Sequence, residues 1–230
     1  MDTEAPAYVE REVRVPSGEI ALAGTLTIPS TPGPHPAVLM IPGSNPFDRD
    51  CTIGELKPFR VIADAIATNG IAVLRLDDRG VGESGGEHKH QYTFDVFADD
   101  VLAAVGFLRA RSDIDATQVG LFGWSLGGAI APLAASRGPD VAFVILMAGY
   151  STSGEEFFEK GRPIWERSQG RTEKEIEAIL ERQKRMIQAA REDRGWDAIR
   201  DELWKQARID FDSLPEDQKS RFSTLDDYYQ

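Results

Sequence analysis

The stretch VGLFGWSLGGAIAPLAA, from Val119 to Ala135, limits the fold more than any other part of this chain. Its first six residues form an apolar run of strand type. Its last ten are small and apolar, suited to a helix packed at close range. One serine, Ser125, stands between them with glycines on both sides. A buried strand passed directly to a helix belongs to a sheet covered by helices on both faces.

The first 149 residues repeat this grammar. HPAVLMIPG, IAVLRLDD and VAFVILMAG are continuous apolar runs bounded by turn residues, as expected of strands buried on both faces. REVRV and IALAGTLTIP, separated by PSGE, read as a hairpin. KPFRVIADAIATNG places Phe59, Ile62, Ala63 and Ile66 on one helical face and stops at Gly70. Residues 93–111 make an amphipathic helix with the stripe Phe94, Phe97, Val101, Val105 and Leu108, and with Asp99 and Asp100 facing out. The expected fold class is α/β, a mostly parallel sheet with helices on both faces. Residues 1–149 form its core.

Beyond Gly149 the density of charged residues roughly doubles and no buried strand run follows. A capping box at Thr172 to Glu175 opens one amphipathic helix, and a second begins near Trp196. Residues 150–230 therefore read as helical, either a lid over the sheet domain or a plain helical subdomain. In the lid reading, Phe157, Phe158 and Trp165 are candidates to line an acyl pocket. Packing inside the helices is the other use for them.

The net charge of −12 argues against nucleic acid or an anionic membrane as partner. No apolar run reaches the ~20 residues of a membrane span, and the acidic first 15 residues do not resemble a secretory signal. The single cysteine, Cys51, excludes an internal disulfide and fits a cytoplasmic protein. It lies in the charged stretch DRDCTIG with no histidine nearby, so it reads as structural or incidental. Nothing has metal-ligand spacing, and no cofactor is expected.

Ser125 sits in Gly123-Trp124-Ser125-Leu126-Gly127, a G-x-S-x-G pattern. Gly82-Glu83-Ser84-Gly85-Gly86 matches it equally well. Context separates them. A nucleophile elbow needs a strand ending at the serine and a helix starting just after it. Ser125 has both, whereas Ser84 lies in a glycine-rich loop followed by EHKHQ. Ser125 is thus the expected catalytic nucleophile. A helix starting at Leu126 aims free N–H groups and its positive dipole end at the serine. The Leu126 N–H is one expected oxyanion donor. The other comes from the loop MIPGSNPFD after the neighbouring parallel strand: Ser44, with Asn45 as the alternative.

Taken together, IPGS, DDRGVGES and GWSLGG resemble the α/β-hydrolase superfamily. The nearest likeness is to its dienelactone-hydrolase-like and serine-aminopeptidase-like esterases, in which GSGPxDRD and DDRGVGxS are frequent. Here the first reads Gly43-Ser44-Asn45-Pro46-Phe47-Asp48-Arg49-Asp50, and the second runs from Asp77 to Ser84. The likeness covers residues 10–150 in detail. It implies a serine hydrolase acting on a small-molecule ester or amide, and a structural role for the DRGVGES loop, pinned by Asp78 and Arg79.

The triad order of that fold is Ser, then Asp or Glu, then His. After Ser125 this sequence contains no histidine. His35 precedes a strand, at the wrong end of it. His88 and His90 follow ESGGE on the same side of the sheet as Ser125, where a solvent-exposed pair is the plainer reading. Asp226 and Asp227 have no strand to place them. Two sheet strands, the acid and the histidine are therefore expected to lie outside this sequence. The chain is either the first part of a longer hydrolase, inactive alone, or a protein that binds or assembles without a triad. Within the hydrolase reading, ester cleavage comes first and amide or peptide cleavage is the alternative.

Overall fold

The computed structural model describes residues 6–87, 92–213 and 219. The chain divides into two compact units, Met1–Tyr150 and Ser151–Gln230.

The first unit is built on a six-stranded sheet. Strands β1 (Tyr8–Ser17) and β2 (Ile20–Pro29) form a hairpin in which Ser17 pairs with Ile20. Its two-residue turn contains Gly18 at φ 57°, a left-handed conformation that costs glycine little. Then follow β3 (His35–Ile41), α1 (Pro58–Thr68), β4 (Ala72–Leu76), α2 (Phe94–Arg109), β5 (Ile114–Trp124), α3 (Gly127–Arg137) and β6 (Val144–Met147). The strand order is β1-β2-β4-β3-β5-β6. Strands β4, β3, β5 and β6 run parallel, and β2 joins them antiparallel through β4.

Two apolar clusters hold the sheet from its two faces. On one, Leu22, Leu39, Ile41 and Leu74 meet Val101, Val105 and Leu108 of α2 and Ile130 and Ala134 of α3. On the other, Val38, Met40, Val73 and Phe122 meet Phe59 and Ala63 of α1. Phe59 also packs edge-on against Phe122, with ring centroids 6.2 Å apart.

Three details depart from expectation. The run VAFVILMAG does not form a strand buried on both faces: β6 is the last strand of the sheet among the described residues, and Ile145 and Leu146 are exposed on it. Asp100 does not face out. It is 7% exposed, accepts the Ser17 hydroxyl at 2.5 Å and is clasped by Arg79 at 2.5 and 2.7 Å. A carboxylate can be buried when it is paired and hydrogen-bonded, and helical periodicity cannot register that compensation. Strand β5 also starts at Ile114, ahead of its apolar run.

The second unit comprises α4 (Gly154–Ser168), α5 (Glu173–Glu192) and α6 (Trp196–Ser213). The capping box forms as expected: the Thr172 side chain accepts from the Glu175 N–H, and the Glu175 carboxylate accepts from the Thr172 N–H at 2.8 Å. Helix α4 was not among the expected helices. It is capped by the Ser153 side chain and contains Gly161 and Pro163. Ile176, Ala189, Ile199 and Ala207 are its companions' buried apolar residues. The buried Glu166 of α4 receives Arg162 at 2.6 Å and lies 3.4 Å from Arg171. Phe157, Phe158 and Trp165 are all partly exposed, with Arg162 stacked 5.0 Å from the Trp165 ring centroid. Among the described residues, no helix is long and apolar enough to cross a membrane.

Candidate active site

Strand β5 ends at Trp124 and α3 begins at Gly127, so Ser125 and Leu126 alone make the turn. Ser125 has φ 53°. A residue with a side chain enters this left-handed region only when its surroundings over-determine it. Here the Ser125 N–H donates to the Met147 carbonyl at 3.0 Å, and its own carbonyl accepts from Gly128 at 2.9 Å.

The neighbouring glycines show why the turn is so tight. A Cβ on Gly123 would lie 2.2 Å from the Gly127 carbonyl oxygen. One on Gly127 would lie 2.3 Å from the Ile41 carbonyl oxygen, and one on Gly128 2.5 Å from the Gly149 Cα. All three are backbone collisions that no side chain could relieve. The glycines let α3 descend onto the ends of β3 and β5, which brings its first N–H groups beside Ser125.

The loop after β3 closes on the same point. Strand β3 pairs in parallel with β5, with Ile41 opposite Gly123. A Cβ built on Gly43 would stand 3.5 Å from the Ser125 Cβ and 3.8 Å from its Oγ. Gly43 is therefore adjacent to the serine side chain, and Ser44 follows it on the exposed edge of the loop. Leu126 is half-buried in the turn itself.

This loop is tied down by DDRGVGES. The Asp77 carboxylate accepts the Arg49 N–H at 2.8 Å, Arg49 Nε at 3.0 Å, Arg49 Nη2 at 2.8 Å and the Glu83 N–H at 3.0 Å. Arg49 reaches Glu83 at 3.2 Å and also pairs with Glu12. Burial pushes the Asp77 carboxyl up, but the Arg49 side chain and the two N–H donors outweigh it and hold the group below its usual range. Asp78 accepts the Phe47 N–H at 3.0 Å, and its own N–H donates to the Phe47 carbonyl at 3.0 Å. Burial pushes its carboxyl up to about 7; the Phe47 N–H opposes this, and the charges of Asp100 and Asp77 add to it.

Ser84 belongs to this fastening. Its hydroxyl donates to the Asp77 carbonyl at 2.7 Å and accepts the Ala23 N–H at 2.9 Å. Both of its hydrogen-bonding roles are occupied by backbone. Cys51 is fully buried, and burial, with the charges of Asp78, Asp48 and Asp50, pushes its thiol up. A reactive thiolate is suppressed there.

The structure does not bring a histidine to Ser125 among the described residues. His35 pairs in register with Ile114, nine residues before Gly123 on β5, at the far end of β3. At ~3.3 Å per strand residue, the six residues from His35 to Ile41 span about 20 Å. His88, His90, Asp226 and Asp227 lie outside the described residues.

A cavity of about 270 Å³ opens against this site. Gly43, Ser44 and Leu126, which flank Ser125, contribute to its wall, together with Asp78, Asp100 and apolar residues of β2, β3, α2 and α3. No motif signalled it, because its lining comes from elements far apart in sequence.

Residues 55–225 match the family described as serine aminopeptidase, S33. The esterase EstD of Thermotoga maritima is 36% identical over 140 residues, which are 58% of this chain and 32% of that protein. The matched part thus spans about a third of that curated relative's length. Among solved structures, the α/β hydrolase GrgF from Penicillium sp. sh18 is similar with a TM-score of 0.55 and 27% identity, over 70% of this chain and 53% of that one. A dienelactone hydrolase from Anabaena variabilis is similar with a TM-score of 0.51 and 25% identity, over 63% and 65% of the two chains. Its strand order, its turn at Ser125 and this match over most of its length agree: the chain has the α/β-hydrolase fold and belongs to the serine aminopeptidase S33 family.

Proposed function

We propose that Ser125 is the nucleophile of a serine hydrolase that cleaves carboxylic esters. The observation that carries this reading is the left-handed backbone of Ser125 at a two-residue strand-to-helix turn. Strain of this kind is retained where it aims a side chain. Ser125 Oγ attacks the ester carbonyl and an acyl-enzyme forms, with the alkoxide leaving as an alcohol after it takes up a proton. The developing oxyanion is held by the N–H groups of Leu126 and Ser44, supported by the positive end of α3. Water then releases the acid.

The base that takes the Ser125 proton lies outside the described residues. Loss of the histidine cost a well-studied serine protease on the order of 10⁶ in turnover. Where that base is lacking, turnover should fall by a comparable factor. The substrate in this reading is a small-molecule ester.

Amide cleavage is the second reading, and the description of the matched family favours it. A nitrophenyl ester and a nitroanilide of one acyl group distinguish the two. Without an efficient base, deacylation is slow, so intact mass spectrometry should find one acyl group per chain after incubation with the ester. The adduct should be absent in Ser125→Ala. An adduct formed from the anilide but not from the ester would overturn the ester reading.

A further inference from the structure

The cavity beside Ser125 has an unusual division of its wall. Its body is apolar, formed by Leu39 and Ile41 of β3, Phe97 and Val101 of α2, and Ile130 of α3. Its charged part is formed by Asp77, Asp78 and Asp100 with Arg79, beside the neutral polar Ser44, Asn45 and Tyr92. Two of these charges are neutralised, Asp77 by Arg49 and Asp100 by Arg79. Asp78 is held only by the Phe47 N–H among the described residues. An anion entering here would lose water and find Asp78 and no unpaired cation among the described lining residues. That combination is costly.

We infer that this cavity is the acyl pocket, and that it accepts an uncharged aliphatic or arylaliphatic acyl group of roughly six to nine carbons while excluding acyl groups that end in a carboxylate. This rests on the reading of Ser125 as the attacking atom, because Gly43, Ser44 and Leu126 belong both to the cavity wall and to the surroundings of that serine. The size follows from volume. An apolar cavity of about 150 Å³ holds one benzene, and about 270 Å³ is available here. The upward shift of the Asp78 carboxyl reports the same buried, acidic surroundings that disfavour a ligand carboxylate.

Binding tests this without any need for turnover. Alkyl methyl ketones from 2-butanone to 2-undecanone would be titrated into the 230-residue chain and followed by NMR chemical-shift changes. Each added methylene should tighten binding about fourfold, until the chain fills the cavity at roughly six to nine carbons. Beyond that, affinity should level off. 2-Octanone should bind at least about tenfold more tightly than 7-oxooctanoate, which has the same length and a terminal carboxylate. Phe97→Trp, checked for an unchanged melting temperature, should weaken 2-octanone by a similar factor. Affinity independent of length, a gain that continues through 2-undecanone, or equal binding of the ketone and the keto acid would each overturn the proposal. The nucleophile reading is tested separately, by the loss of the acyl adduct in Ser125→Ala. A failure of the nucleophile reading therefore leaves a distinct record from a failure of the pocket.

Discussion

Ser125 and Ser84 occupy the same five-residue pattern, and their surroundings make them different chemical objects. Ser84 is bonded through its hydroxyl to two backbone groups of β2 and the β4 loop. Ser84→Ala should cost about 1–3 kcal/mol, because the Ala23 N–H is left without its acceptor. Urea denaturation would measure this, and the reactivity of Ser125 should survive. Gly127→Ala should be more damaging, since the new methyl would sit 2.3 Å from a backbone oxygen. A loss of more than about 3 kcal/mol is expected, with the turn displaced. Asp78 gives a pH test. An acid whose folded pKa is raised holds its proton longer when folded than when unfolded. Its contribution to stability therefore falls as pH rises from about 4, the unfolded value, to about 7 in the fold. Asp78→Asn should change little at pH 4 and gain stability over the natural protein by pH 8, by at most about 4 kcal/mol. Denaturant midpoints at the two pH values would check the sign.

Among the elements, the buried strands were readable because both faces are apolar, so their sequences form unbroken runs. Strands β3 and β4 follow that rule, and so does the second half of β5; β6 has the same apolar run but is an edge strand with Ile145 and Leu146 exposed. The capping box of α5 was equally readable, since Thr172 and Glu175 are three residues apart and act locally. Thr172→Ala should destabilise the start of that helix by about 1 kcal/mol, seen as faster hydrogen exchange at Ile176 and its neighbours. Helix α4 is hard to read from sequence because Gly154, Gly161 and Pro163 all disfavour helix. Pro163 lies ten residues into that helix, where its missing N–H and its ring disfavour helix. The inward turn of Asp100 was hidden for another reason. Its partners, Ser17 and Arg79, come from distant points of the chain. The same holds for the grip of Asp77 on Arg49 and for the cavity, which arise only from tertiary assembly.

At the level of the whole molecule, the sheet ends in β6, whose single strand neighbour among the described residues is β5. Ile145 and Leu146 on it are 45% and 48% exposed. An apolar edge strand invites pairing with another chain. The 230-residue chain should therefore self-associate as its concentration rises, and Leu146→Lys should shift sedimentation velocity profiles toward monomer. Unchanged profiles would remove the edge as the cause. The arrangement of the first unit is otherwise directed at one point. Strand β5 delivers Ser125, α3 supplies N–H groups, and the loop after β3 is fastened beside it by the loop after β4. The most direct measurement of that claim is peptide mapping of the chain after long exposure to a fluorophosphonate. One phosphonyl adduct on Ser125, slow to form and absent in Ser125→Ala, is the predicted result. An adduct on Ser84 or Ser44 with Ser125 unmodified would contradict it.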